Sequence, residues 1–95
     1  MKMVMIFCSG PMFEEARRLL EEHKVPGYTA IPEVIGLGVS GGHFGSRVWP
    51  RTSALILSLM EDDLAAVVVA ALGVLKRTRP GASLHAATLP ADSFV

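Results

Sequence analysis

Four strand-length apolar runs and two helix-length segments follow one another as strand, helix, strand, strand, helix, strand. This order limits the fold more than any other feature of the chain. Residues 2–8 (KMVMIFC) are a short apolar run of strand length, closed by Ser9-Gly10-Pro11. Ser9 or Gly10 suits a helix N-cap, and proline is tolerated in a first turn because its missing N–H has no partner there. The spacing predicts an amphipathic helix over 12–24 (MFEEARRLLEEHK). Phe13, Ala16, Leu19, Leu20 and His23 fall near one face, while Glu14 with Arg18 and Arg18 with Glu22 form i,i+4 pairs on the other. Pro26-Gly27 breaks this helix.

Residues 28–35 (YTAIPEVI) are rich in β-branched and aromatic types that fit a pleated surface, and Pro32 within them calls for an edge position or a bulge. Residues 52–60 (TSALILSLM) are the most apolar strand and are placed at the centre of the sheet. Glu61-Asp62-Asp63 suits the positive end of a second helix. Leu64, Val67, Val68, Ala71, Leu72 and Leu75 are its expected core stripe, and Lys76, Arg77 and Arg79 suit its negative end. Arg79-Pro80-Gly81 stops it. Residues 83–89 (SLHAATL) then read as a last strand, with Leu84, Ala86 and Thr88 alternating against His85, Ala87 and Leu89. Two βαβ-like halves with both helices on one sheet face predict an α+β, ferredoxin-like βαββαβ sandwich. That is one domain over 1–95, with a four-stranded antiparallel sheet and two helices on one face.

Composition narrows the function. Hydrophobic residues are 51% of the chain and charged residues only 19%, against about 25% in an average domain. So small a share of charge predicts that apolar surface is covered by a partner subunit. Nine basic residues balance nine acidic ones with no basic stripe, which argues against nucleic acid. One cysteine, Cys8, makes no internal disulfide and fits a reducing cytoplasm. The longest apolar stretch, 64–75, has 12 residues where a membrane span needs about 20, and the short N-terminal run leads straight into a charged helix, unlike a signal peptide.

The segment 36–51 holds five of the nine glycines and is expected to be a mobile loop. Gly38, Gly41 and Gly42 let several backbone N–H groups converge on an anion, although a flexible hairpin connection has the same composition. Phe44, Arg47 and Trp49 are the residue types of interaction hot spots, with Trp49 folded back over the sheet as the alternative. His23, His43 and His85, with Cys8 and the alternating Met1, Met3 and Met5, are the metal-ligand types present. None is spaced as a motif, and a methionine-lined core or interface explains the last three as well. No nucleophile–base pairing is suggested, so the chain is read as a non-enzyme without catalytic residues.

Gly27-Tyr28-Thr29, the Gly36-Leu37-Gly38 turn, the loop through Pro50, the apolar strand ending at Met60 and the acidic Asp62-Asp63 helix start resemble the PII signalling family and its shorter PII-like relatives. The resemblance implies a cytoplasmic homotrimer that binds a small effector, an adenine nucleotide in the nucleotide-binding members, in clefts between subunits. It also implies control of a target enzyme or transporter through the loop at about 38–51. By position the ligand site is Thr29, Gly36, Leu37, Gly38, Val39, Ser40, Gly41 and Gly42, and the partner-binding loop carries His43, Phe44, Arg47 and Trp49. Val39 and Ser40 stand where the family's nucleotide binders carry Arg and Gln. Residues 78–82 lack the family's glycine-rich TGxxGDGK pattern, and the loop has no tyrosine. The trimeric CutA family, whose members are linked to metals, is the alternative, with His43 and either His85 or Cys8 as ligands.

Overall fold

The computed structural model describes the backbone of residues 1–39 and 48–95 and the side chains of 1–35 and 53–95. Strand β1 (Lys2–Ser9) is followed by helix α1 (Gly10–Glu22), strands β2 (Thr29–Val39) and β3 (Val48–Met60), helix α2 (Asp62–Thr78) and strand β4 (Leu84–Pro90). The strands form one antiparallel sheet in the order β2-β3-β1-β4. This is the ferredoxin-like βαββαβ arrangement, and the two most apolar strands, β1 and β3, lie together at its centre.

Register decides which side chains meet the helices. Val4 faces Ser58, Ile6 faces Ile56 and Cys8 faces Ala54, and all six are buried. Above them pack Met12, Ala16 and Leu20 of α1 and Ala65, Val68 and Leu72 of α2, each set at spacings of three or four that align on one helical face.

The α2 stripe is therefore narrower than the sequence pattern suggests. Val67 is 53% exposed, because Ala65, Val68 and Leu72 define the inward direction and position 67 lies outside it. On α1 the ion pairs run through Arg17 instead of Arg18. Its Nη1 lies 2.7 Å from Glu14 Oε1, its Nη2 3.8 Å from Glu21 Oε2, and its guanidinium 5.5 Å from the Phe13 ring centre. On β4, Ala86 and Thr88 take the helix-side register opposite Ile6 and Val4 yet stay exposed. Only Leu84 of this edge strand is covered.

β2 is the other edge strand. Ile31 lies opposite Leu55 and Val34 opposite Ser53, so β2 uses three residue steps where β3 uses two. Pro32 thus sits at both of its expected places, an edge and a bulge, where its lack of a donor does no harm. The expected loop over 36–51 is shorter than its glycine content suggests. Gly36 pairs with Arg51, Leu37 with Pro50, Gly38 with Trp49 and Val39 with Val48. β-Formers between the glycines, and a glycine–aromatic cross-strand pair, are combinations a ladder tolerates.

α1 ends in a Schellman motif without a glycine. The Val25 N–H donates to Leu20 O at 3.3 Å and the Lys24 N–H to Glu21 O at 3.0 Å, while Lys24 takes a left-handed φ of 55°. Val25 packs against the core just past Leu20. An L-residue in this conformation costs about 1–2 kcal/mol, part of which glycine recovers. Lys24→Gly is expected to raise the unfolding free energy by about 0.5–1 kcal/mol, read from the urea midpoint at unchanged slope.

Candidate functional site

The sheet face away from the helices is as apolar as the covered one. Met3, Met5 and Phe7 of β1 lie in register with Leu59, Leu57 and Leu55 of β3, and Ile31 of β2 and Leu89 of β4 extend the surface on either side. Phe7, Ile31 and Leu89 are 44%, 40% and 49% exposed. The alternating methionines thus line an open face and not a core.

At the end of this face where β2 begins lies a cavity of about 440 Å³, lined by Met3, Gly27, Thr29, Leu57, Leu59 and Phe94 among others. The Ser58 hydroxyl donates to the Gly27 carbonyl at 2.6 Å and ties the turn before β2 to the central strand. Next to it, Tyr28 donates its hydroxyl to Glu21 Oε2 at 2.7 Å and accepts from Arg17 Nε at 3.1 Å, which anchors the same turn to α1. Thr29 brings a hydroxyl to a mainly apolar lining. Of the expected ligand residues it is the one whose side chain is described, and it does line a cavity. Phe94 escaped sequence reasoning because nothing in a short tail signals where it lies. Met3, Leu57 and Leu59 were legible only as an apolar alternation.

The opposite end of the sheet gathers a second set. There β2 and β3 run on through their glycine-containing pairs, β1 ends at Ser9 opposite Ser53, and the α2–β4 connection returns to Leu84 opposite Cys8. The Ser9 N–H donates to Ser83 O at 3.0 Å. The connection itself is a tight turn. The Ala82 N–H donates to Arg79 O at 3.1 Å across Pro80-Gly81, and Gly81 has φ 88°, the positive value that a type II turn places after its proline. Arg79, expected as a helix-end cation, instead donates from Nε and Nη2 to Glu15 Oε1 at 3.1 and 2.8 Å and so pins this turn to α1.

Thr29 and Gly36 therefore occupy opposite ends of β2. At about 3.3 Å per residue they stand roughly 20 Å apart. A ligand touching both within one chain has to lie along the strand. Gly36, Leu37, Gly38 and Val39 are paired strand residues, whereas Ser40, Gly41, Gly42, His43, Phe44 and Arg47 lie outside the described residues. Trp49 belongs to β3.

Among the described residues, no three His, Cys, Asp or Glu side chains are placed to hold a metal ion. His23 Nδ1 lies 2.8 Å from Leu19 O, and His85 Nδ1 lies 3.2 Å from Lys76 Nζ, on different elements. Cys8 is buried with Sγ 3.9 Å from Ala54 O, and burial pushes its thiol pKa up from the ordinary value of 9.0. No helix among the described residues is long and apolar enough to cross a membrane.

No family model matches the chain, and no curated protein sequence matches it. Solved structures do share its fold. Over 97% of the chain and 82% of the other, it superposes with a TM-score of 0.73 and 16% identity on the PII-like protein CutA from Nostoc sp. PCC 7120 in apo form. Over 99% and 94%, it superposes with a TM-score of 0.68 and 17% identity on CPII, a nitrogen regulatory PII-like protein from Thiomonas intermedia K12 bound to ADP, AMP and bicarbonate. A PII-like signaling protein from Thermus thermophilus is similar over 93% and 83%, with a TM-score of 0.66 and 16% identity. The ferredoxin-like sandwich found here is, more narrowly, the fold of PII-like proteins.

A thiol raised by burial reacts slowly because the thiolate is the nucleophile. Native Cys8 is expected to resist alkylation at pH 8 at least tenfold better than the urea-unfolded chain. Raising the pH to 9 should leave it slower than a free thiol, as followed by mass spectrometry.

Proposed function

We propose that the chain is a PII-like regulatory protein. It assembles as a homotrimer, binds an adenine nucleotide or a related small effector in clefts between subunits, and controls a partner protein through the loop between β2 and β3. It acts as a cytoplasmic sensor and not as a catalyst. The observation that carries this reading is the uncovered apolar sheet face with a cavity at Thr29. A sheet with Met5, Phe7, Leu55 and Leu57 on its open side stabilises itself by burying that side against other copies. A cavity at the edge of such an interface is completed by the neighbouring subunit. The ADP- and AMP-bound CPII structures support an adenine nucleotide as the effector class.

The loop reading rests on a second feature. β2 is paired up to Val39 and β3 from Val48, and an effector bound near these last pairs would act on the root of the loop. Ordering of that loop on effector binding would make it a switch that engages or releases a partner.

Sedimentation should give three times the chain mass of 10.1 kDa. ADP and AMP should each raise the melting temperature. Thr29→Ala should weaken binding by about three- to tenfold, the effect of one lost hydrogen bond, and Leu57→Glu should dissociate the assembly and abolish nucleotide binding with it. A monomeric wild type, or no response to either nucleotide at millimolar concentration, would sink the reading.

A further inference from the structure

Helix α2 is apolar nearly all the way round. Residues 64–75 carry no charge, yet only Ala65, Val68 and Leu72 of them are buried. Val67 and Val74 are 53% and 52% exposed, and Ala66 and Ala70 are exposed with them. A helix on the surface of a soluble domain normally turns charge outward. α1 does so with Glu14, Arg18, Glu21 and Glu22.

At 3.6 residues per turn, Asp63, Ala66, Val67, Ala70, Val74 and Arg77 share one side of α2, opposite its buried line. Charges of opposite sign close the two ends of this stripe. Asp63 and Arg77 are both exposed, and neither joins an ion pair among the described residues. Each lies seven residues from Ala70, so the stripe has the charge symmetry of a self-complementary surface. Turned about a two-fold axis through Ala70, it sets Asp63 against the partner's Arg77, Ala66 against the partner's Val74, and Ala70 against the partner's Ala70. Isologous contacts have this property of pairing i with j and j with i. Alanines near the axis let two helices approach to about 8 Å.

We propose that the outer face of α2 packs antiparallel on the same face of a second copy of this chain, with Ala70 at the two-fold axis and the Asp63–Arg77 pairs closing both ends. This surface lies on the helix layer, away from the open sheet face, so both can be occupied at once, and each subunit of an assembly made through the sheet face brings one such stripe. One helix pair buries less than a standard interface, and the association is weak and concentration-dependent.

Cross-linking and sedimentation test it. Ala70→Cys, oxidised gently, is expected to give an intermolecular disulfide. Ala66→Cys, which faces the partner's Val74, should cross-link at least tenfold more slowly, and wild type should not cross-link because Cys8 is 1% exposed. The wild-type mass should rise at least twofold between low and high micromolar concentration. Asp63→Arg should hold it at the lower value, and Asp63→Arg with Arg77→Asp should restore the rise. Absence of the Ala70→Cys disulfide, equal cross-linking from Ala66→Cys, or a mass curve unmoved by Asp63→Arg would each overturn the pairing. The first of these leaves the face to a different protein. The position dependence of the cross-link is independent of how many subunits the sheet face gathers, so this result and that of the trimer are read separately. The cross-link also stands without Asp63→Arg should that variant fail to fold.

Discussion

The side-by-side pairing of β1 and β3 is the constraint on which the rest of the molecule depends. Both strands are apolar on both faces, and two helices cover one face of a four-stranded sheet. Ile6 and Ile56 find α1 and α2 above them, whereas Met5 and Leu57, one step along the same strands, meet no helix. The low share of charged residues has its structural cause here. The open face, the cavity at Thr29 and the pressure towards assembly all follow from a sheet that is hydrophobic twice over and covered once.

Most of the fold was legible because the strands and helices obey their own periodicities. The apolar run of 52–60 and the placing of Ala16 and Leu20 on the inner face of α1 are local patterns that tertiary packing reinforced, whereas Met12, outside the expected face, is buried and Phe13 and Leu19 only partly so. What escaped was decided by geometry between elements. Val67 is as hydrophobic as Val68, and only the rotation of α2 about its own axis, which turns Ala65, Val68 and Leu72 inward, separates the buried valine from the exposed one. Arg17, not Arg18, found Glu21 and Tyr28 because the turn before β2 folds back against α1. Glycine misled over 36–39. It is a loop residue by composition, but alternated with Leu37 and Val39 it can still be carried in a ladder. Of the site residues expected from sequence, Thr29 lines the cavity, whereas Phe94 reaches it through a path that no periodic signal marks.

Two ends of one strand thus carry two different pieces of chemistry. At the start of β2 lies a mainly apolar cavity with the hydroxyl residues Tyr28, Thr29 and Ser58 in its lining. At its far end β2 runs on with β3 through their glycine-containing pairs, beyond Ser9, where β1 ends.

Register also governs the order in which the domain can be assembled. β1 is the earliest strand to be synthesised, yet neither of its neighbours is close in sequence. Lys2 lies opposite Met60 on one side and Pro90 on the other. α1, the turn that follows it and the β2–β3 hairpin can form while the chain is being made, but the central strand stays unpaired on one edge until the last strand arrives. Closing so long a loop before its contacts are rewarded slows folding, and an unpaired, doubly apolar strand is a target for the wrong partner in the meantime. The stickiest strand of the sheet is therefore half satisfied until β4 is made, and it depends on that strand to end the exposure.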